Sequence, residues 1–396
     1  MEIIRNPFMW IGDVLRTLLS GFGFSPGLIT VSLNFLAAGL LATAALLFAG
    51  IFLTWFDRKL GARVQDRLGP NRVGKFGVLQ PFADLVKLLV KEDFTPGGAI
   101  PLLFNLAPLL AVMGVVGIWA IVPFGPSIIG TDLNVGVVYI VSIGSVSTLA
   151  VIMAGWASNN KYALLGAFRT VAQLISYEVP IVLTLLVPTM LAGSMNTQII
   201  VERQSPVWFI VMAPVATLIF FIASLAEVGR APFDLLEAES EIVAGYNIEY
   251  GGMKFGMFYV SEYLHSFTVA ALTAMLFLGG WRGPGVEAMP ILGLVYFFLK
   301  AGVVYLVLSL LRFSMPRVRI DQLLDLNWKL LTPLSLAVVV ITAIAQKLAV
   351  SLGWSVVLVH LTANALLVLA TVAILRTFAR RQRAEVEATS GALRLG

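Results

Sequence analysis

"PLLFNLAPLLAVMGVVGIWAIVP", residues 101–123, carries no ionisable side chain from end to end. A helix of that length covers the roughly 30 Å of hydrocarbon in a bilayer. A helix is also the backbone form that satisfies its own N–H and C=O groups there. A buried helix in a soluble core needs a shorter run. Comparable apolar stretches recur at 33–55, 135–157, 175–195, 208–227, 258–280, 292–313, 333–350 and 356–377, so with 101–123 the sequence predicts about nine transmembrane helices. Composition agrees: 59% of the 396 residues are hydrophobic, 12% are charged, and mean hydropathy is +0.91. Ordinary soluble domains are far less apolar. The expected fold is an all-α polytopic membrane protein.

The loops set the expected orientation. Residues 57–100 hold Arg58, Lys59, Arg63, Arg67, Arg72, Lys75, Lys87 and Lys91, and the loop after the seventh span holds Arg312, Arg317, Arg319 and Lys329. The loops on the opposite side are short and nearly neutral; 124–134 contains only Asp132. Positive charge stays in the cytoplasm. The charged loops and the C-terminus are therefore expected inside and the N-terminus outside. Nine crossings also put Arg376, Arg380, Arg381 and Arg383 inside. The expected organisation is one integral membrane domain, 1–377, with a basic, flexible cytoplasmic tail, 378–396. Glu2, Arg5, Asp13 and Arg16 interrupt the start, which does not read as a cleaved signal peptide. The two halves show no inverted repeat, which disfavours a stand-alone secondary transporter.

The chain has no cysteine, so it cannot supply cysteine ligands to an iron–sulfur cluster. Its two histidines, His265 and His360, each lie in an apolar run and read as helix residues with local partners. No dinucleotide fingerprint or phosphate-binding loop is present. No nucleic-acid partner is expected, because a net charge of +5 reflects topology in a chain of this kind. No metal site and no redox cofactor are expected in this chain.

Charge is scarce, yet it gathers in a few places. "LAEVGRAPFDLLEAESEIVAGYNIEYGGMKF", 225–255, contains Glu227, Asp234, Glu237, Glu239, Glu241 and Glu249 against only Arg230 and Lys254. Asp234, Glu237 and Glu241 share one helical face by spacing, and unpaired like charges there repel. A solvated loop, a cation site and a proton path are the alternatives. The calcium-loop spacing is absent, and the interleaved apolar residues favour an acid-lined path. "LQPFADLVKLLVKED", 79–93, reads as an amphipathic helix on the cytoplasmic side, lying either on lipid headgroups or against a partner. Arg169 and Glu178 are expected at the start of the fourth span, as a functional pair or an edge cap. Glu262 and Lys300 fall inside spans six and seven, and an ionisable residue there is a functional hypothesis by default. Lys300 reads as too deep to reach the membrane edge. The economical arrangement is one line of Glu178, Glu227, Glu262 and Lys300. Arg317, Arg319 and Asp321 follow Pro316 in a short loop, as positive-inside anchors or as organisers of another loop's acids.

Taken together, the motifs resemble one family. "GPNRVGKFGVLQPFADLVKL", "GWASNNKYALLGAFR", "AQLISYEVP", "RAPFDL", "EAESEIVAGYNIEYGGMKF" and "PRVRIDQLLDLNWK" occur in collinear order between about residues 55 and 335. This pattern resembles the quinone-channel membrane subunit of respiratory complex I, the family of NADH dehydrogenase subunit 1. The resemblance implies eight family helices plus a ninth at the C-terminus, in a bacterial plasma membrane. It implies a proton-translocating NADH:quinone oxidoreductase in which this chain forms much of the quinone tunnel. Quinone is then the substrate, and iron–sulfur clusters and FMN belong to partner subunits. The implied partners are the peripheral-arm iron–sulfur and quinone-site subunits, the antiporter-like membrane subunits and the lipid. Asp57, Arg58, Lys59, Arg63, Asp84 and Phe233 match the family's quinone channel. Arg169, Glu178, Glu227, Arg230, Asp234, Glu237, Glu239, Glu241, Glu249, Glu262 and Lys300 match its proton path. Arg317, Arg319 and Asp321 match its partner-facing loop.

Several positions depart from the family pattern. Asp57 stands in place of Glu, Gly229 in place of Asn, and Leu236 in place of Pro. Val318 and Ile320 replace commoner aromatic or charged neighbours. The rival readings are the same role in a ferredoxin-driven complex, and an ion-carrying or anchor subunit of a membrane-bound hydrogenase. The full Gly-Pro-Asn and Pro-Arg-Val-Arg motifs favour quinone reduction over the hydrogenase.

Overall fold

The computed structural model describes residue 17 and residues 39–126, 128–205, 207–235, 243 and 245–392. Among these there are helices and loops and no strand. We number the helices in chain order. α1 is Gly39–Val64, α3 Pro101–Ile121, α4 Gly136–Ala157, α5 Lys161–Ala192, α9 Gly252–Phe277, α10 Ile291–Ser314 and α11 Ile320–Leu352. α12, Val356–Ala392, continues helically through residues expected from the sequence to form a tail. Four shorter helices lie between them: α2 Gln80–Val90, α6 Thr197–Arg203, α7 Phe209–Met212 and α8 Pro214–Val228. Eight of the helices are long and apolar enough to cross a membrane, and α8 is a shorter apolar one.

Proline decides where the structure departs from the expected spans. The run at 208–227 is not one helix. It breaks at Ala213, with φ −134° and ψ 60°, and Pro214 opens α8. Proline donates no N–H to the preceding turn and pushes the residue before it out of the helical region. Pro180, by contrast, sits inside α5 without ending it. The carbonyl it deprives of a partner is that of Ser176, four residues back. Asn327, in a π-helical turn of α11, donates to that carbonyl at 2.6 Å. A partner helix thus restores the hydrogen bond that lipid cannot supply. The fourth span is therefore longer than 175–195. It starts at Lys161, where the Asn160 side chain accepts from the Tyr162 amide at 2.9 Å.

A second backbone gap is closed in the same way. The Asn364 side chain of α12 donates at 2.9 Å to the carbonyl of Met212, at the break between α7 and α8. Replacing Asn364 with Leu leaves that buried carbonyl unpaired, which costs about 1–3 kcal/mol. A lower thermal midpoint of the purified protein is expected. An unchanged midpoint would show that the break needs no clip.

The loops sort onto two faces. On one, the Ile100 amide bonds the Ala157 carbonyl, the Val318 amide bonds the Pro232 carbonyl, and Asn160 reaches Glu249. On the other, Asn196 bonds Asp132, Thr197 bonds the Ile121 carbonyl, and Gln204 accepts from the Gly279 amide. The α7–α8 segment joins one face to the other, so the discontinuous helix also traverses the bundle. α9 is its axis: 83% of its most apolar stretch is buried, against 17% for α1 and for α12. It packs on α3, α8 and α10. Trp119 of α3 stacks on Phe267 and donates to Thr268 at 2.7 Å. The outer surface is apolar, with Leu102, Met113, Leu149, Val303, Leu358 and Leu369 exposed. Such a surface is stable against lipid. α2 packs on α9 and leaves Val86, Leu89 and Val90 uncovered.

Candidate functional site

Two polar sites lie inside this apolar bundle. The first begins at Asp57, 3% exposed on the last turns of α1. Arg312, near the end of α10, donates to its Oδ2, and Tyr263 of α9 approaches the same oxygen at 3.4 Å. Arg230 follows α8 and is 5% exposed. Its Nε holds Glu262 Oε1 at 3.0 Å, its Nη1 lies 4.0 Å from Asp57, and its guanidinium lies over the Tyr263 ring at 4.3 Å. Burial works against the charge of Arg230, yet Glu262 and Asp57 hold its pKa above the ordinary arginine value. Two carboxylates and two guanidiniums compensate one another, which makes such a cluster tolerable in a low dielectric.

The cluster borders a cavity of about 510 Å³ lined by Asp57, Arg58, Gly61, Tyr259, Tyr263, Arg312, Phe313 and the 65–70 turn. That volume suits a ring-sized organic ligand. Arg58 also pairs with Asp84 of α2, which fixes the amphipathic helix beside the cavity. Lys59, Arg63 and Phe233 do not line it. Phe233 is buried against Tyr177, and its carbonyl accepts from Gln173 at 2.9 Å.

The second site is deeper. Glu178 of α5, Glu227 of α8 and His265 of α9 line a cavity of about 40 Å³ together with Ser224 and Thr148. Ser145 donates to Glu178 at 2.7 Å, and His265 Nε2 lies 3.9 Å from Glu227 Oε1. Near the loop face, Glu249 accepts from Asn160 at 2.6 Å, and Arg169 and Asp234 are half-buried. Glu237, Glu239, Glu241 and Leu236 lie outside the described residues. The Val318–Pro232 bond sets the Arg317–Asp321 segment beside the α8–α9 connection, away from the cavity lining.

One expectation is corrected here. Lys300 does not join the line of Glu178, Glu227 and Glu262. Its ammonium bonds the carbonyls of Gly280 and Arg282 at 3.0 and 2.8 Å and lies over Trp208. That loop follows the far end of α9, about 22 Å from Glu262 at 1.5 Å per residue. The four-carbon stem lets the charge reach the loop even though its Cα is deep. Among the described residues, Lys254 forms its ion pair with Asp93 at 2.8 Å. Two departures are explained. Gly229 has φ +71°, a left-handed conformation that glycine and asparagine both accept. Asp57, though one methylene shorter than Glu, still meets its partners.

Tyr259, Tyr263, Arg312 and Ser145 were not legible as site residues in the sequence, and His265 read as a helix residue with local partners. The available signal was the polar stripe Tyr259, Glu262, Tyr263 and Ser266 at helical spacing in an apolar helix.

The arrangement is that of an integral membrane protein whose bundled helices border an open, ligand-sized cavity and hold a group of ionisable side chains between them. The chain belongs to the NADH dehydrogenase family, whose model matches residues 37–343. It is 46% identical over 308 residues to the H-subunit of NADH-quinone oxidoreductase from Dehalococcoides mccartyi strain CBDB1, covering 78% of this chain and 86% of that one. It is 45% identical over 352 residues to the protein of the same name from Carboxydothermus hydrogenoformans, covering 88% and 99%. The Geobacillus sp. WCH70 protein of that name is 46% identical over 309 residues, covering 77% and 92%.

Proposed function

We propose that this chain is the membrane subunit of a proton-translocating NADH:quinone oxidoreductase, that its larger cavity forms part of the quinone tunnel, and that its buried acids couple quinone reduction to proton movement. The observation that carries the reading is the compensated cluster Asp57–Arg230–Glu262–Arg312, whose Asp57 and Arg312 line the 510 Å³ cavity, beside the Glu178–Glu227 cavity. A quinone taking two electrons needs two protons or two compensating charges. Negative charge appearing in the cavity draws Arg312 toward it and loosens its hold on Asp57. The acids then draw protons, and the change passes along Glu262 and Glu227. Arg169, Asp234, Glu237, Glu239, Glu241 and Glu249 complete the path toward the cytoplasmic loop. Arg58, Lys59, Arg63 and Asp84 order the tunnel mouth. Arg317, Arg319 and Asp321 organise the loops that face partners. Lys300 has no place in this path.

Electrons reach the quinone from clusters in peripheral-arm subunits, and FMN belongs to those partners. The antiporter-like subunits extend the membrane arm. The charged loops face the cytoplasm of a bacterial cell, and residues 1–377 act as one membrane domain.

The test is purification through a tag on this chain, identification of its partners, and assay of inhibitor-sensitive quinone reduction with NADH and with reduced ferredoxin. A large assembly reducing quinone with NADH is expected. A small assembly without iron–sulfur signal or quinone activity would refute the reading, and activity with ferredoxin alone would change the donor. In the active complex, Glu227→Gln should cut proton-coupled turnover by about ten-fold or more while assembly is kept. Unchanged pumping per electron and unchanged rate would count against the acid path.

A further inference from the structure

We propose that His265 carries protons between the cluster on the large cavity and the Glu178–Glu227 cavity; this rests on the proton-path reading above. Glu262 and His265 are three residues apart on α9, and Glu227 and Arg230 are three apart at the end of α8. Two successive cross-links result. Arg230 holds Glu262 at 3.0 Å, and His265 approaches Glu227 at 3.9 Å. The first belongs to the cluster on the large cavity, and the second opens on the small one.

The first cross-link cannot pass a proton by itself. Guanidinium stays protonated at any working pH, and it has no acceptor. The proton must leave Glu262 for another group. His265 lies on the same side of α9, at the roughly 5–6 Å spacing of neighbouring helical side chains. Imidazole has two nitrogens that accept and donate. The charged or titratable groups facing it are Glu227 from α8, Glu178 from α5, Arg230 from the following loop and Glu262 from its own helix. α3 and α4 present only neutral side chains to this cavity.

The step balances. The Glu262 O–H bond breaks and an N–H bond forms at His265 Nδ1, through a water if needed. The Nε2–H bond then breaks and the proton passes to the Glu227 carboxylate. One proton has moved and the ring is neutral again; tautomer exchange through cavity water returns it to the starting Nε2–H form. The 40 Å³ cavity exceeds the roughly 10–15 Å³ that a single water requires, with polar partners on several walls.

The experiment uses the assembled complex in sealed membrane vesicles, with quinone reduction, proton translocation per electron and amount of complex measured separately. His265→Gln keeps hydrogen bonding and loses proton exchange. It should slow coupled turnover about ten-fold or more at unchanged assembly, and adding Glu227→Gln should cause no further loss. His265→Glu, which exchanges protons, should recover much of the rate. Three results would overturn the proposal or its basis. Glu227→Gln slow with His265→Gln at full rate removes His265 and leaves the acid path standing. Both variants at full rate and full stoichiometry refute the acid path itself. A loss in His265→Gln that follows the amount of complex and is not relieved by His265→Glu makes the residue merely structural.

Discussion

Arg230→Met should cause the largest loss of any single substitution in this chain. Methionine fills much of the space of the arginine stem but removes the guanidinium between Asp57 and Glu262. Arg312 alone then faces the buried Asp57 and the half-buried Glu262. Removing one member of a buried ion network costs roughly 3–5 kcal/mol, because the remaining charge is left uncompensated. That is a large fraction of the stability of an ordinary domain. The amount of assembled complex should fall several-fold on a native gel, and quinone reduction per membrane should be lost with it. Arg230→Met combined with Glu262→Gln removes both partners of the 3.0 Å pair and should recover much of the assembly, since a neutral pair carries no such penalty. Proton coupling should stay impaired in the double variant. Full assembly of the single variant would mean that Asp57 and Glu262 do not depend on Arg230 for charge compensation.

Gly61→Leu should have the second largest effect, and by a different route. Gly61 lies on α1 at the wall of the large cavity, and a Cβ built there would stand 2.7 Å from the Phe313 ring. A leucine must push that ring aside and fill part of the cavity. The helix itself tolerates leucine, so assembly should be kept. Displacing a bound ring by about 1 Å from its reacting position costs on the order of a hundred-fold in rate. Quinone reduction should fall by that order while electron transfer to a water-soluble acceptor stays intact. Gly61→Ala, which asks the ring for a smaller shift, should be intermediate. Normal quinone kinetics in Gly61→Leu would mean that the cavity is not on the quinone's route.

The membrane character, most span positions, the amphipathic helix and the identity of the ionisable residues were legible because each is written locally. Length and hydropathy decide insertion, and scarce charges in an apolar chain are conspicuous. Glu178, Glu227, Glu262 and Arg230 were found on that basis. Their grouping was not legible. Lys300 looked like a member of the same line, since depth along a span says nothing about which loop a long side chain reaches. Arg312 looked like a positive-inside anchor, yet it is bound to Asp57. His265 read as a helix residue with local partners, but which partners was not legible: it borders a cavity with two carboxylates.

Proline shows the division most plainly. That Pro180 and Pro214 each remove a backbone donor follows from residue type alone. That one helix continues and the other breaks follows from packing. Asn327 reaches the carbonyl freed within α5. At the α7–α8 break the backbone opens at Ala213, and Asn364 covers the Met212 carbonyl. The partners lie 151 and 152 residues away in the chain, and no local pattern encodes such a contact. In a bilayer every backbone polar group must find a partner within the protein, so the helix that packs alongside decides the outcome.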